Sequence, residues 1–191
     1  MSNPEKVVFL DIDGVLQPYG SRGRFDNLKT IPQLQEELTA KYGVDYTKHD
    51  KYDIGAVYYD WDKHAVALLT RILHETGAKI VISSDWRING LKRVIDFFRL
   101  HGLHEYVIDL TREYRESSGL RNKYKDITHN SRTMEILEYV KDHPHIKRYV
   151  AIDDMDLSKG LEGHFVLTSN TMKDAEAEKA IAILNGTAED A

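Results

Sequence analysis

Two acids one residue apart, Asp11 and Asp13, close the apolar run Val7-Val8-Phe9-Leu10 and are followed by Gly14. A near-continuous apolar run of this length fits a strand buried on both faces, as in a parallel sheet. Side chains two apart on a strand face the same side, which puts the two carboxylates close together at the strand's carboxyl end. Gly14 lets the chain turn sharply beyond them. Like charges so close are unfavourable unless they share a cation or a proton. A hard-oxygen pair in a loop suits Mg²⁺, which keeps several waters and binds through one or two carboxylates plus substrate phosphate. The spacing does not fit a calcium loop of the EF-hand type, which needs a ligand where Val15 stands and glycine where Leu16 stands. An ordinary Asp-x-Asp-Gly turn is the bland alternative, and residues further along the chain decide between the two.

Two more apolar runs end in residues of the same kind. Ala78-Lys79-Ile80-Val81-Ile82 leads into Ser83-Ser84-Asp85-Trp86-Arg87, and Arg148-Tyr149-Val150-Ala151-Ile152 leads into Asp153-Asp154. Further strands are expected at Tyr106 to Leu110 and at His164 to Leu167. Between these runs lie helical stripes: Ala65, Val66, Leu69, Ile72 and Leu73, closed by Gly77; about Leu91 to His101; about Arg132 to Lys141, ended by Pro144; and Ala177, Ala180, Ile181 and Leu184. Strands alternating with helices predict an α/β domain, a parallel sheet of about five strands with helices on both faces. In such sheets ligands bind outside the carboxyl ends of the strands, where all these acids and serines would meet.

Residues 17–60 break this rhythm. Pro18, Gly20 and Gly23 interrupt the chain, a short helix is expected over Ile31 to Leu38, and Gly43 to Tyr59 is aromatic-rich without clear periodicity. The segment reads as an excursion from the core, a small lid insertion near the site. Arg22 and Arg24 within it read as solvated. A second polar excursion covers 111–130, and Gly186 to Ala191 reads as a frayed end.

The 191 residues make one domain with room for a sizeable core. A formal net charge of −5 argues against binding nucleic acid through bulk electrostatics. The chain has no cysteine, which excludes a disulfide partner, a thiolate metal site and a cysteine nucleophile. No apolar run is long enough to span a membrane and Met1 to Lys6 shows no signal-peptide pattern, so the expected compartment is the cytoplasm. No Gly-x-Gly-x-x-Gly follows the first strand and no Gly-Lys-Ser/Thr loop occurs, which removes the common nucleotide-binding loops.

Taken together, the chain resembles the haloacid dehalogenase (HAD) superfamily of aspartate-nucleophile phosphohydrolases. Asp11-Ile12-Asp13-Gly14-Val15 is similar to its first motif, Ser83 after Ile80-Val81-Ile82 to its second, and Ile152-Asp153-Asp154 to its fourth. Ser83-Ser84-Asp85-Trp86-Arg87 after Gly77-Ala78-Lys79 is similar to the small HAD domains described in RNA-repair proteins. The resemblance implies a three-layer Rossmann-like (HAD-like) fold over residues 1–191 and a Mg²⁺-dependent phosphatase. In it Asp11 would attack phosphorus and Asp13 would act as general acid and base. Mg²⁺ would be held by Asp11, Asp13 (through its backbone carbonyl) and Asp153, with Asp154 as a further ligand or support.

Ser83 would bind a transferring oxygen, helped by the adjacent Ser84 and its neighbouring amides. The third-motif cation would be Arg132, with Lys125 and Lys123 as upstream alternatives. Arg87 would take a second anionic group, the other reading being a pair with a carboxylate; Trp86 would pack. The implied partner is a phosphorylated substrate: a nucleotide, a nucleic-acid end or another small phosphate ester. A HAD-fold binding module without turnover is the alternative.

Overall fold

The computed structural model describes residues 4–113 and 119–187; Arg115 and Glu116 of the second excursion and the end of the tail lie outside the described residues. The first apolar run forms β1 (Lys6–Leu10). The others form β2 (Lys79–Ile82), β3 (Val107–Leu110), β4 (Arg148–Asp153) and β5 (Phe165–Leu167). They make one five-stranded sheet in the order β3-β2-β1-β4-β5, every pairing parallel. The strand carrying Asp11 is thus the central one.

Two-residue alternation sorts the sheet into two cores. Val8, Leu10, Ile80, Ile82, Val150 and Ile152 face the larger one, and Val7, Phe9, Val81 and Ala151 face the other. The helices α4 (Lys63–Thr76), α5 (Leu91–Arg99) and α8 (Asp174–Asn185) bury their apolar stripes in the larger core, while Ile136 of α7 (Ser131–Asp142) packs in the smaller. Local signals set the helix limits. Asp62 caps α4 by accepting from the Ala65 amide at 2.8 Å, and Gly77 ends it in the left-handed conformation. The architecture is an α/β, Rossmann-like domain with helices on both faces.

The segment 17–60 corrects the expectation of an excursion from the core. It is mostly helical: α1 (Gly23–Asp26), α2 (Ile31–Tyr42) and α3 (Lys51–Gly55), the last running into a π-helical turn at Ala56–Asp60. Ile31, Leu34, Leu38, Tyr46, Ile54 and Val57 are buried in the larger core. The Tyr46 hydroxyl donates to the backbone carbonyl of Asp96 on α5 at 2.8 Å, and His49 Nε2 lies 3.2 Å from Asp96 Oδ2. Arg24, expected to be solvated, makes an ion pair of 2.8 Å with the buried Asp60, whereas Arg22 remains exposed. The second excursion contains α6 (Leu120–Tyr124).

Gly55 of α3 packs against Ile31 of α2 and Arg24 of α1. A Cβ there would lie 2.6 Å from Ile31 Cδ1 and 2.9 Å from Arg24 Cβ. Gly55→Ala is therefore expected to cost about 1–3 kcal/mol by overpacking. That corresponds to a fall in Tm of about 2–4 °C per kcal/mol for a domain of this size. Thermal denaturation checks this; an unchanged Tm would mean that the contact relaxes freely.

Candidate active site

The register of the three central strands sets a row of residues at one edge of the sheet. Leu10 pairs with Ile82 of β2 and with Ile152 of β4, so Asp11, Ser83 and Asp153 follow at one level. The Asp11 amide donates to the Ile152 carbonyl at 3.0 Å, and the Ser83 amide to the Leu10 carbonyl at 2.9 Å. Beyond Asp11 the chain folds back tightly. The amides of Leu16 and Gln17 donate to the Ile12 carbonyl at 2.9 Å, and that of Gly14 to the Gln17 carbonyl at 2.8 Å. Gly14 has φ +74°, and a Cβ there would lie 2.7 Å from Asp154 Cβ. Only glycine permits both the turn and the approach of Asp154.

A side-chain cap brings in the cation. Asn130 accepts from the amides of Arg132 at 2.9 Å and Thr133 at 3.3 Å, fixing the start of α7 and placing Arg132 in its first turn. Its guanidinium reaches the row of acids: Nη1 lies 3.0 Å from Asp11 Oδ1 and 2.9 Å from Asp153 Oδ2, and Nη2 lies 3.5 Å from the exposed Asp85. Burial pulls Arg132 toward its neutral form, but the charges of Asp11 and Asp153 outweigh it and hold the guanidinium protonated. Asp153 Oδ1 accepts from the Met155 amide at 2.8 Å.

Asp11, Asp153 and Asp154 present carboxylate oxygens that all lie within 4.8 Å of one another. This all-oxygen set fits a hard divalent cation such as Mg²⁺. Asp11 and Asp154 border a crevice of about 160 Å³ lined also by Asp13, Tyr19, Asp85, Arg132 and Met155, with Asp153 buried behind it. A larger hollow of about 680 Å³ lies along β3 and α7, bordered by Asp109, Glu135 and Tyr139; none of the three clustered acids lines it, so the chemistry belongs to the smaller crevice.

The sequence-expected residues divide as follows. Asp11, Arg132, Asp153 and Asp154 come together, and Ser84 hydrogen-bonds the Asp11 carboxylate. Asp13 lines the crevice, but its carboxylate is outside the metal-ligand cluster; Gln17 Nε2 donates to its Oδ1 at 2.8 Å and Trp86 Nε1 to its Oδ2 at 2.9 Å. Two residues fall elsewhere. The Ser83 hydroxyl is buried without a hydrogen-bond partner, so the serine beside Asp11 is Ser84. Arg87, expected at an anion, is taken by the buried Glu135 at 2.6 Å and by Thr111 Oγ1 at 3.0 Å. A desolvated carboxylate one turn beyond Arg132 outbids a solvent-exposed anion for that guanidinium. Lys123 pairs with Glu138 and Lys125 is exposed, and neither lines the crevice.

Sequence reasoning missed Tyr19, Gln17 and the indole N–H of Trp86. The Tyr19 hydroxyl donates to Asp154 Oδ2, and its amide donates to Asn170 Oδ1 at 2.6 Å. Hydrogen bonding to Asp154, and then burial, raises the Tyr19 phenol above its usual range. The one available signal was proximity, since Gln17 and Tyr19 lie in the loop directly after Asp13.

The family described as "HAD domain in Swiss Army Knife RNA repair proteins" matches residues 7–175. The chain belongs to this family. No curated protein and no solved structure matches the chain. As a HAD domain it falls in a superfamily of phosphohydrolases, and the matched residues run from β1 through β4 to the start of α8. Among the described residues, no helix is long and apolar enough to cross a membrane.

The clustered acids make the stability of the HAD domain depend on pH. Burial pushes the Asp11 carboxyl from 3.8 up to about 7, with Arg132 offsetting only part of the cost. Burial raises Asp153 as well, again opposed by Arg132. Between these limits the folded site binds protons that the unfolded chain releases, so with metal chelated, stability falls as pH rises from about 4 to about 7. Asp11→Asn removes this burden. In chelator the variant is expected to melt several degrees above the wild type near pH 8, the gap closing toward about pH 4. Thermal denaturation across that range decides the matter; a gap independent of pH would show that Asp11 is not the group responsible.

Proposed function

We propose that this HAD domain is a Mg²⁺-dependent phosphomonoester hydrolase in which Asp11 is the nucleophile. The observation that carries this reading is the convergence of Asp11, Asp153 and Asp154 with the Arg132 guanidinium at one end of the sheet. The position of Arg132 also favours it over a binding module without turnover, since a dianionic phosphate among so many carboxylates needs a fixed side-chain cation.

In the first half-reaction an Asp11 carboxylate oxygen forms a bond to phosphorus as the ester P–O bond breaks, giving an aspartyl-phosphate. Asp13 gives its proton to the departing oxygen. In the second half Asp13 takes a proton from water as that oxygen bonds to phosphorus. The bond between Asp11 and phosphorus opens, and the carboxylate and inorganic phosphate are released. Arg132 neutralises phosphoryl charge throughout, and the Ser84 hydroxyl, which hydrogen-bonds the Asp11 carboxylate, orients the nucleophile. Asp11, Asp153, Asp154 and the Asp13 backbone carbonyl would hold Mg²⁺, which when bound supplies positive charge that keeps Asp11 ionised and orients the phosphoryl group.

The crevice points to the kind of ester. Its volume of about 160 Å³ is well below the about 300–1,000 Å³ of pockets that enclose drug-sized ligands. The phosphoryl group therefore enters and the rest of the substrate stays on an open rim, where Tyr19 is 61% exposed and Met155 40% exposed. That geometry favours a phosphate on a nucleotide or at a polynucleotide end, in keeping with the RNA-repair proteins that give the family its description.

Asp11→Asn is expected to abolish turnover of phosphate monoesters while circular dichroism stays native, and chelation should do the same to the wild type, reversibly with Mg²⁺ and poorly with Ca²⁺. Nucleoside monophosphates, sugar phosphates and phosphorylated RNA or DNA ends form the assay panel. Substantial residual activity in Asp11→Asn would sink the aspartyl-phosphate route.

Arg132→Ala should lower kcat/KM by on the order of 10²-fold or more, a loss typical of removing one preorganised charge or donor. Lys125→Ala should leave it within about 3-fold, since surface changes away from a site are usually near neutral. Steady-state kinetics on both variants make the comparison, and equal losses would remove Arg132 from the phosphate site.

A further inference from the structure

The Asp13 carboxylate is held by two neutral side chains. Each of its oxygens accepts one hydrogen bond from a neutral donor, Gln17 Nε2 at 2.8 Å and Trp86 Nε1 at 2.9 Å. Among the described residues no Lys or Arg pairs with it, whereas Asp11 and Asp153 share Arg132. Two neutral donors fix its plane without adding a full opposite charge and leave each oxygen a further lone pair.

Both donors are themselves immobilised. Trp86 is buried, with its ring edge-on to Phe97 at 5.6 Å and to Trp61 at 6.1 Å. Gln17 is buried at the end of the tight turn that begins at Ile12, and its amide and carbonyl are both used within that turn. Its side-chain Oε1 is buried with no hydrogen-bond partner. An orphaned buried amide oxygen is costly, and an apolar side chain of similar size would avoid it. The glutamine thus gives up stability for a single contact, the one to Asp13.

We infer that Gln17 and Trp86 are positioning residues that clamp the Asp13 carboxyl group in the plane needed to pass a proton to the leaving oxygen. The inference rests on the phosphohydrolase reading. It makes a demand that general packing does not. Loss of the clamp should harm esters whose leaving oxygen must be protonated as it departs, and should largely spare those whose leaving group departs as a stable anion.

The test compares kcat/KM, which reports phosphoryl transfer to Asp11, for an alkyl phosphate and for p-nitrophenyl phosphate with Mg²⁺. Trp86→Phe keeps an aromatic ring against Phe97 and removes the N–H; Gln17→Met keeps the volume and removes the amide. Each is expected to lower kcat/KM for the alkyl ester by about 10-fold or more, part of the about 10²–10⁴-fold that a general acid contributes. The nitrophenyl ester should lose less than about 3-fold, the proton being unneeded there. Equal losses on both esters, or no loss on either, overturn the inference.

A second measurement needs no turnover. The chain has two tryptophans, and the Trp61 indole N–H is buried without a partner while that of Trp86 is bonded to Asp13. In ¹⁵N-labelled protein, Asp13→Ala should move the Trp86 indole resonance and leave that of Trp61 in place. An unmoved Trp86 resonance removes the clamp while leaving the hydrolase reading intact. A wild-type protein that turns over neither ester with Mg²⁺ removes the hydrolase reading, and the positioning role with it, even if the indole shift is present.

Discussion

Three carboxylates from two neighbouring strands, with oxygens within 4.8 Å of one another, are held at one end of the sheet beneath a single guanidinium. Two unit charges about 4 Å apart interact by about 4 kcal/mol at the effective dielectric typical near a protein surface. Repulsion on that scale is comparable to the about 5–15 kcal/mol by which a domain is stable at all. The fold accommodates it in two ways visible in the site: Arg132 bridges Asp11 and Asp153, and burial, with the Asp153 charge adding to it, pushes Asp11 toward its protonated form. The Asn130 cap that starts α7, the level register of β1 and β4, and the missing side chain at Gly14 all serve to bring these charges together. A site held together in this way carries excess negative charge and gains from an added cation that fits it.

The strand and helix alternation was legible because it depends on local periodicity. Four-residue apolar runs and helical stripes identify themselves, and their order fixes which ends meet. The acids at the strand ends were legible for the same reason, and Arg132 could be placed because position in a helix's first turn is a matter of counting. What could not be read was whatever depends on competition between partners. Arg87 and Arg132 have the same chemistry and both stand near the sheet's carboxyl edge; their different fates depend on Glu135, which lies one helical turn past Arg132 and is buried against Arg87. The choice between Ser83 and Ser84 likewise turns on which side of the strand end each hydroxyl takes.

The segment 43–60 escaped for a different reason. Its helix is short, passes into a π turn, and contains a glycine. Glycine reads locally as a breaker. At Gly55 it is instead a packing requirement imposed by Ile31 and Arg24 from other parts of the chain. Tyr19, Gln17 and Trp86 belong to the same class of omission. Their types are ordinary for a loop and a core, and only the three-dimensional return of the chain onto Asp13 and Asp154 gives them polar partners.

The shared core of the 17–60 segment bears on how this protein can vary. Ile31, Leu34, Tyr46 and Ile54 bury their side chains against the same layer that covers the sheet, and Tyr46 is tied to the backbone of α5. Each such side chain is worth about 1.5–3 kcal/mol of burial, so the segment is not a cassette that recombination could excise or swap whole. Excision would strip one wall from the larger core. Divergence in what the domain accepts is therefore channelled into single exposed positions along the rim, such as Tyr19 and Met155. Substitution there changes the outer surface without reopening the interior.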